Sequence, residues 1–271
     1  MRKTTTYGAM PVAVLMSAYG GPPQPTKPAL IDLQKRALAA ADATTNAHDA
    51  KKYSELFTPD ATVTEYGLGE VKGREAIAAG VRSAFGGFPD FEIGVSKSFV
   101  KNELVVREWV ITGTHKGEFA GAKPTNKTMG VRGADVLTFT PEGLIRQAHR
   151  YFDTSTVLAQ LGIMKAPAPP VATLPSGARD WHVAKGTPEE GTLVEAAKAL
   201  DAAFETKTHH VLFAAGDTVI SELSFTATQA GQVGPLTPTK KPVTLHAVEI
   251  VTFKDGKVLS RWTYSNSFEL R

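Results

Sequence analysis

Residues 99–117 read FVKNELVVREWVITGTHKG, and residues 213–231 read FAAGDTVISELSFTATQAG. Setting Phe99 on Phe213, an offset of 114, brings Glu108 onto Glu222, Thr112 onto Thr226, Thr114 onto Thr228 and Gly117 onto Gly231 without a gap. The same offset continues: Pro124 and Thr125 fall on Pro238 and Thr239, Lys127 on Lys241, and Phe139 on Phe253. After a one-residue slip Gly143 meets Gly256 and Tyr151 meets Tyr264, and the apolar positions keep phase throughout. Self-similarity sustained at one offset is an internal repeat. Residues from about 210 to 268 are therefore a second copy of what precedes them.

The repeated unit alternates with a period of two, the mark of strands. Residues 92–101 and 103–115 pair around Lys101-Asn102, and residues 127–139 and 144–153 pair around Pro141-Glu142-Gly143. Upstream the period is helical. Residues 30–47 repeat Leu30, Leu33, Ala37 and Ala41 on one face, Asp49 caps a shorter helix running to about Phe57, and Gly73-Arg74-Glu75 opens a third helix through Phe85. Pro59-Asp60 reads as a turn, followed by a strand over 61–66 that Gly67 to Gly69 break. Helices first and long strands after them predict an α+β fold, helices on one face of an antiparallel sheet. Sheet twist curls such a sheet into a cone with an internal pocket. The domain plan is 1–28 as a signal-like or disordered N-terminus, 29–162 as a complete copy, 163–186 as a Pro-rich linker and 187–271 as a truncated copy. The truncated copy keeps one clear helix, 193–205, and lacks the segment holding the other helices and first strand. Its sheet therefore needs cover, from the first domain or from a second chain, because bare apolar area costs about 25 cal/mol per Å².

Composition removes several function classes. Among 271 residues there are 30 basic and 27 acidic side chains and no cysteine. No basic stripe points to nucleic acid. Disulfides, thiolate metal sites and cysteine nucleophiles are excluded. No run approaches the ~20 apolar residues of a membrane span. Met1-Arg2-Lys3, the apolar stretch 9–18 and the glycine-proline segment after it have the three parts of an export signal, or else form a disordered start interrupted by Pro11. Tyr19 stands where a lipoprotein would carry its acylated cysteine, so lipidation is excluded.

Asn46-Ala47-His48-Asp49, residues 56–61 (LFTPDA), residues 71–77 (VKGREAI), Phe88-Pro89-Asp90, Trp109, residues 112–119 (TGTHKGEF), and residues 149–153 (HRYFD) together resemble the SnoaL-like branch of the nuclear transport factor 2-like superfamily. The resemblance implies a cone-shaped sheet packed on helices and a small hydrophobic or polyketide-like carbonyl ligand. It implies no metal and no redox cofactor. Family cyclases close a ring by intramolecular aldol condensation, one carboxylate moving a proton beside a carbonyl. The superfamily also holds isomerases, dehydratases and proteins without a known reaction, so the alternative is a non-catalytic exported protein that binds a ligand or partner.

Asp135, amid apolar strand residues and in phase with Leu137 and Phe139, is the first candidate acid/base; it faces either inward or solvent. His149 and Asp153 share a strand face with Tyr151 and could form a base and its orienter, although Asp153, at the strand's end, could instead cap the segment after it. Phe57, Tyr66, Trp109, His115 and Tyr151 are the candidate binding residues, with plain core or a rim turn as the competing reading. In the second copy His115 becomes Gln229, Asp135 becomes Glu249, His149 becomes Trp262 and Asp153 becomes Asn266; only Tyr264 keeps its type. Any reaction thus belongs to the first copy, with the second as structural support, in the manner of a partner subunit in a homodimer.

Overall fold

The computed structural model describes residues 28–119, 121–200, 207–228 and 242–270. The signal-like segment and Gln229 lie outside them. Helices α1 (Leu30–Asn46) and α2 (Ala50–Glu55) are followed by β1 (Phe57–Glu65) and β2 (Gly69–Lys72) and then by α3 (Arg74–Gly87). Asp49 caps α2 by accepting from the Lys52 N–H at 3.0 Å. Then come β3 (Glu92–Lys101), β4 (Leu104–Thr114), β5 (Thr128–Phe139), β6 (Ile145–Phe152) and α4 (Thr154–Gln160). The chain closes with β7 (Asp180–Val183), α5 (Pro188–Ala199) and a second run of strands: β8 (Lys207–Ala215), β9 (Thr218–Thr228), β10 (Pro242–Lys254) and β11 (Lys257–Ser265). A short 3₁₀ turn, Ser267–Leu270, comes last.

The first sheet runs β2-β1-β6-β5-β4-β3-β7 and the second β11-β10-β9-β8. Strands β8 to β11 repeat β3 to β6, as the sequence offset requires. Helices α1 to α3 cover the concave face of the first sheet. Leu38, Tyr53, Ile77, Val105, Leu137 and Phe139 form one core there, and Phe88, Trp109, Met129 and Leu161 a second. The other face of the first sheet packs directly on the second sheet, through Phe99, Val106, Val136 and Tyr151 against Phe213, Ile220, Ile250 and Tyr264. The first domain thus supplies the cover that the second sheet needs. Helix α5 covers part of the opposite face with Leu193, Val194 and Ala197 on Ala214, Val251 and Phe253.

Four local expectations are corrected. The sheet is mixed: β1 runs parallel to β6, and β7 parallel to β3. Pro59 and Asp60 lie inside β1, not in a turn, because the β1–β6 register shifts between Phe57 and Thr62 and no ladder bond is demanded of the proline there. Helix α5 begins five residues earlier than the apolar period suggests, since Thr187 and Glu190 form a capping box with Pro188 at the first turn. The proline-rich 163–186 segment is not a free tether. Gln160 binds the carbonyls of Pro169 and Pro170 at 3.2 Å, Ala172 N–H donates to Gly130 O, and β7 docks on the sheet edge with Trp181 against the core. Among the described residues no helix is long and apolar enough to cross a membrane.

Candidate functional site

Strand register builds the site. Arg107 on β4 pairs with Asp135 on β5, Asp135 pairs with Arg150 on β6, and Arg150 pairs with Glu65 on β1. Residues in register share a face, so four charges of alternating sign lie side by side across four strands. Arg107 Nε and Nη2 both reach Asp135 Oδ2, at 2.8 and 2.7 Å. Arg150 Nε lies 3.4 Å from Oδ1, and its Nη1 donates to Glu65 Oε1 at 2.7 Å. Tyr53 OH on α2 accepts from Arg150 Nη2 at 3.2 Å. On the far side Arg107 Nη1 donates to Asp42 Oδ1 on α1 at 3.0 Å, and Asp42 is paired in turn with Arg179, just before β7.

This row forms the floor of a cavity of about 400 Å³ whose walls are apolar: Ile77, Val81 and Phe85 from α3, Phe88, and Trp109, Ile111, Met129 and Phe152 from the strands. Leu68, Gly69, Glu70 and Val71, in the turn and strand after β1, line its rim, where Leu68 is 52% exposed. Trp109 fits only because its neighbour across the ladder is Gly133; a Cβ there would sit 2.3 Å from the indole ring. Trp109 Nε1 is buried without a hydrogen-bond partner among the described residues, and its N–H dipole lies near enough to Asp135 to favour the ionised carboxylate.

Asp135 is 1% exposed and Arg107 3%. Burial alone would push the Asp135 pKa up; the guanidinium of Arg107, then that of Arg150, outweigh it and hold the carboxyl below its ordinary value. For Asp42 the balance falls the other way: burial exceeds the pull of Arg107 and Arg179, and its pKa is raised. Asp135 is therefore a buried carboxyl biased toward its ionised form, with Oδ1 the less tightly held oxygen.

Of the residues singled out from sequence, Asp135 and Trp109 line this cavity. The others do not. His149 and Tyr151 point through the opposite face of the sheet, where Glu222 Oε1 lies 2.6 Å from His149 Nδ1 and accepts from Tyr151 OH at 2.7 Å. Asp153 follows β6 and caps α4 by accepting from the Thr156 N–H at 2.9 Å, so it joins no catalytic pair with His149. Tyr66 stacks on Tyr151 and His246, centroids 4.9 and 4.2 Å apart, on the side of the second sheet. Phe57 belongs to the helix-covered core. His115 is not at a rim: it is fully buried, accepts from Thr125 N–H through Nδ1 at 3.3 Å, and packs on Phe88. Glu249, the counterpart of Asp135, is likewise paired, with Arg261 at 2.7 Å and Lys207 at 3.3 Å.

Sequence reasoning missed Arg107, Arg150, Glu65 and Asp42. The β5–β6 turn carries a signal for Arg150, since folding back at 140–143 places it opposite Asp135. Nothing comparable sets Arg107 against Asp135, because the β4–β5 connection over 115–127 is too long to fix a register.

A family model described as SnoaL-like polyketide cyclase matches residues 35–161 and 190–271. No curated protein matches the chain. Among solved structures, a candidate SnoaL-like polyketide cyclase from Jannaschia sp. CCS1 is 21% identical over 56% of this chain and 100% of its own, with a TM-score of 0.45. IdmH from Streptomyces antibioticus, a candidate polyketide cyclase, is 26% identical over 48% of this chain and 98% of its own, TM-score 0.43. AclR from Streptomyces galilaeus, a candidate hydroxylase, is 20% identical over 50% and 99%, TM-score 0.45.

Proposed function

The chain belongs to the SnoaL-like polyketide cyclase family, and from that premise we propose that its first copy binds a small, largely apolar carbonyl compound in the cavity and moves a proton on it with Asp135. The observation that carries this reading is the Arg107–Asp135–Arg150 row at the floor of an otherwise apolar cavity. Two guanidinium groups keep Asp135 anionic, which makes it an available but weak base. It is matched to a C–H already acidified by flanking carbonyls, such as that of a 1,3-dicarbonyl compound. Arg150 and the Trp109 N–H would stand beside the developing enolate oxygen, where charge stabilisation counts most in a dry site. An enolate so held would attack a second carbonyl of the same molecule folded against the Phe85 and Phe88 wall; that C=O opens to an alkoxide as the C–C bond forms, and the alkoxide takes back the proton held by Asp135, which is ring closure by aldol chemistry.

A second reading, binding without catalysis, is favoured by one observation: both Asp135 oxygens already face guanidinium groups and the carboxyl pKa is lowered, as in a static anchor. Deuterium exchange separates the two. Simple 1,3-dicarbonyl compounds are incubated in D₂O with the protein, and α-deuteration is followed by NMR. Catalysis by Asp135 predicts exchange that falls roughly 10²–10⁴-fold in Asp135→Asn. Binding detected by calorimetry with no exchange above buffer would leave the binding reading; equal exchange in both proteins would exclude Asp135 as the base.

A further inference from the structure

The interface between the two sheets is built from counterparts. Phe99 and Phe213, Val106 and Ile220, Ala134 and Val248, Val136 and Ile250, and Tyr151 and Tyr264 occupy the same repeat positions, and all lie in one buried cluster. The polar contacts reciprocate as well. Tyr151 OH donates to Glu222 at 2.7 Å, and Tyr264 OH donates to Glu108, the counterpart of Glu222, at 2.6 Å. Asp153 accepts from Ser267 N–H and Oγ–H at 3.1 and 2.6 Å. Its counterpart Asn266 accepts from the N–H of Thr154, the counterpart of Ser267, at 3.3 Å and donates to Thr154 Oγ1 at 2.9 Å. Contacts that match when the two sides are exchanged define a two-fold, isologous interface. Here it lies inside one chain.

The symmetry breaks at His149, whose counterpart is Trp262, and at Asn266. Asn266 Nδ2 also donates to the carbonyl of Tyr66 at 2.8 Å, while the second copy, among the described residues, has no β1–β2 turn for Asp153 to hold. The amide is unambiguous in its orientation: Nδ2 faces the Tyr66 carbonyl, and Oδ1 faces the N–H groups of Thr154 and Phe268. Gly67 lies directly on this side chain, at φ +80°, and a Cβ on it would come within 3.0 Å of Asn266. One end of the Asn266 bridge lies in the cavity wall, where Thr154 lines it; the other, the Tyr66 carbonyl, lies outside the lining but two residues before Leu68 to Val71, which form the rim.

We propose that the second copy is a built-in partner subunit that sets the mouth of the first cavity, with Asn266 as the positioning residue tying the β1–β2 turn to the start of α4. Hydrogen–deuterium exchange on the ligand-free, full-length protein tests this independently of any reaction in the cavity. Asn266→Asp keeps the oxygen that serves the N–H groups of Thr154 and Phe268 and puts a second oxygen against Thr154 Oγ1, whose hydroxyl can turn to donate to it, and against the Tyr66 carbonyl, which cannot. Exchange at residues 67–72 is expected to rise about tenfold, the equivalent of ~1.4 kcal/mol of local protection, with the amides of α4 and β11 unchanged. Gly67→Ala, at the exposed turn, opposes the same contact from the other side and is expected to give the same local pattern. In a Trp181→Phe, Trp262→Phe background, acrylamide quenching of Trp109 is expected to increase with either variant. Unchanged exchange at 67–72, or a uniform loss of protection across α4, β11 and the turn, would overturn the proposal, as would unchanged quenching.

Discussion

Replacing Asp135 by asparagine keeps the size of the side chain and removes one negative charge from between a buried guanidinium, that of Arg107, and a partly exposed one, that of Arg150. In the native row Arg107, Arg150 and Arg179 are balanced by Asp42, Asp135 and Glu65. After the substitution Arg107, with a side chain 4% exposed, keeps only Asp42, which already serves Arg179. Removing one partner of a buried pair costs about 3–5 kcal/mol because the remaining charge stays buried. The asparagine oxygen can still accept one N–H, and Arg150 retains Glu65, so the lower end, ~3 kcal/mol, is expected. For a chain of this size each kcal/mol lowers Tm by roughly 2–4 °C, giving a fall of about 6–12 °C. Urea unfolding followed by tryptophan fluorescence, with the m-value compared between proteins, gives the free energy; calorimetry gives Tm. Asp135→Leu combined with Arg107→Met, which removes both partners of the closest pair, is expected to recover much of the loss. A cost below about 1 kcal/mol for Asp135→Asn would refute the reasoning, since it would mean that the row is solvated through the cavity and behaves like surface ion pairs.

The acid limb of stability depends on the same group. The folded pKa of Asp135 is lowered, so its contribution is complete above the unfolded value of 3.8 and is lost as pH falls through the folded value; the gap between wild type and Asp135→Asn is expected to close below about pH 3.8, measured by unfolding at successive pH values. Gly133→Ala is expected to cost roughly 1–3 kcal/mol, because the new methyl meets the Trp109 ring at 2.3 Å and the Tyr151 carbonyl at 2.7 Å; a thermal melt within a degree of wild type would show that the indole can move aside. Tyr264→Phe leaves the buried Glu108 without its 2.6 Å donor and is expected to cost roughly 1–3 kcal/mol. Residues 177–271 alone are expected to aggregate, since Phe213, Ile220, Val248 and Ile250 lose the first sheet that covers them; a soluble, folded monomer by sedimentation and circular dichroism would contradict this.

Most of the architecture is legible in the chain. The fixed offset from Phe99 to Phe213 announced two copies, the change from helical to alternating period placed helices before strands, and the missing segment before 193 showed that the second sheet would need cover. Turn and cap chemistry set most boundaries, because those rules act over a few residues. What the sequence could not decide was which face of a strand is the inside. Alternation says that His149 and Tyr151 share a face and that Ala148, Arg150 and Phe152 share the other, but it separates inside from outside only when one face meets water. In this protein neither face of β5 does, and β6 beside it is buried at Ala148 on one face and at Tyr151 on the other. Helices and the cavity cover one and the second sheet covers the other, so β5 is buried at nearly every position. The histidine, tyrosine and aspartate read as one catalytic wall were thus split between an interdomain contact and a helix cap, while Asp135 went to the cavity floor. The partners that give Asp135 its charge state, Arg107 and Arg150, came from strand register and from the packing of α1 and α2 over the sheet. The tight β5–β6 turn encodes the Arg150 pairing, whereas the Arg107 pairing and the contacts from α1 and α2 are fixed only when the whole sheet closes, and no short-range pattern in the chain encodes them.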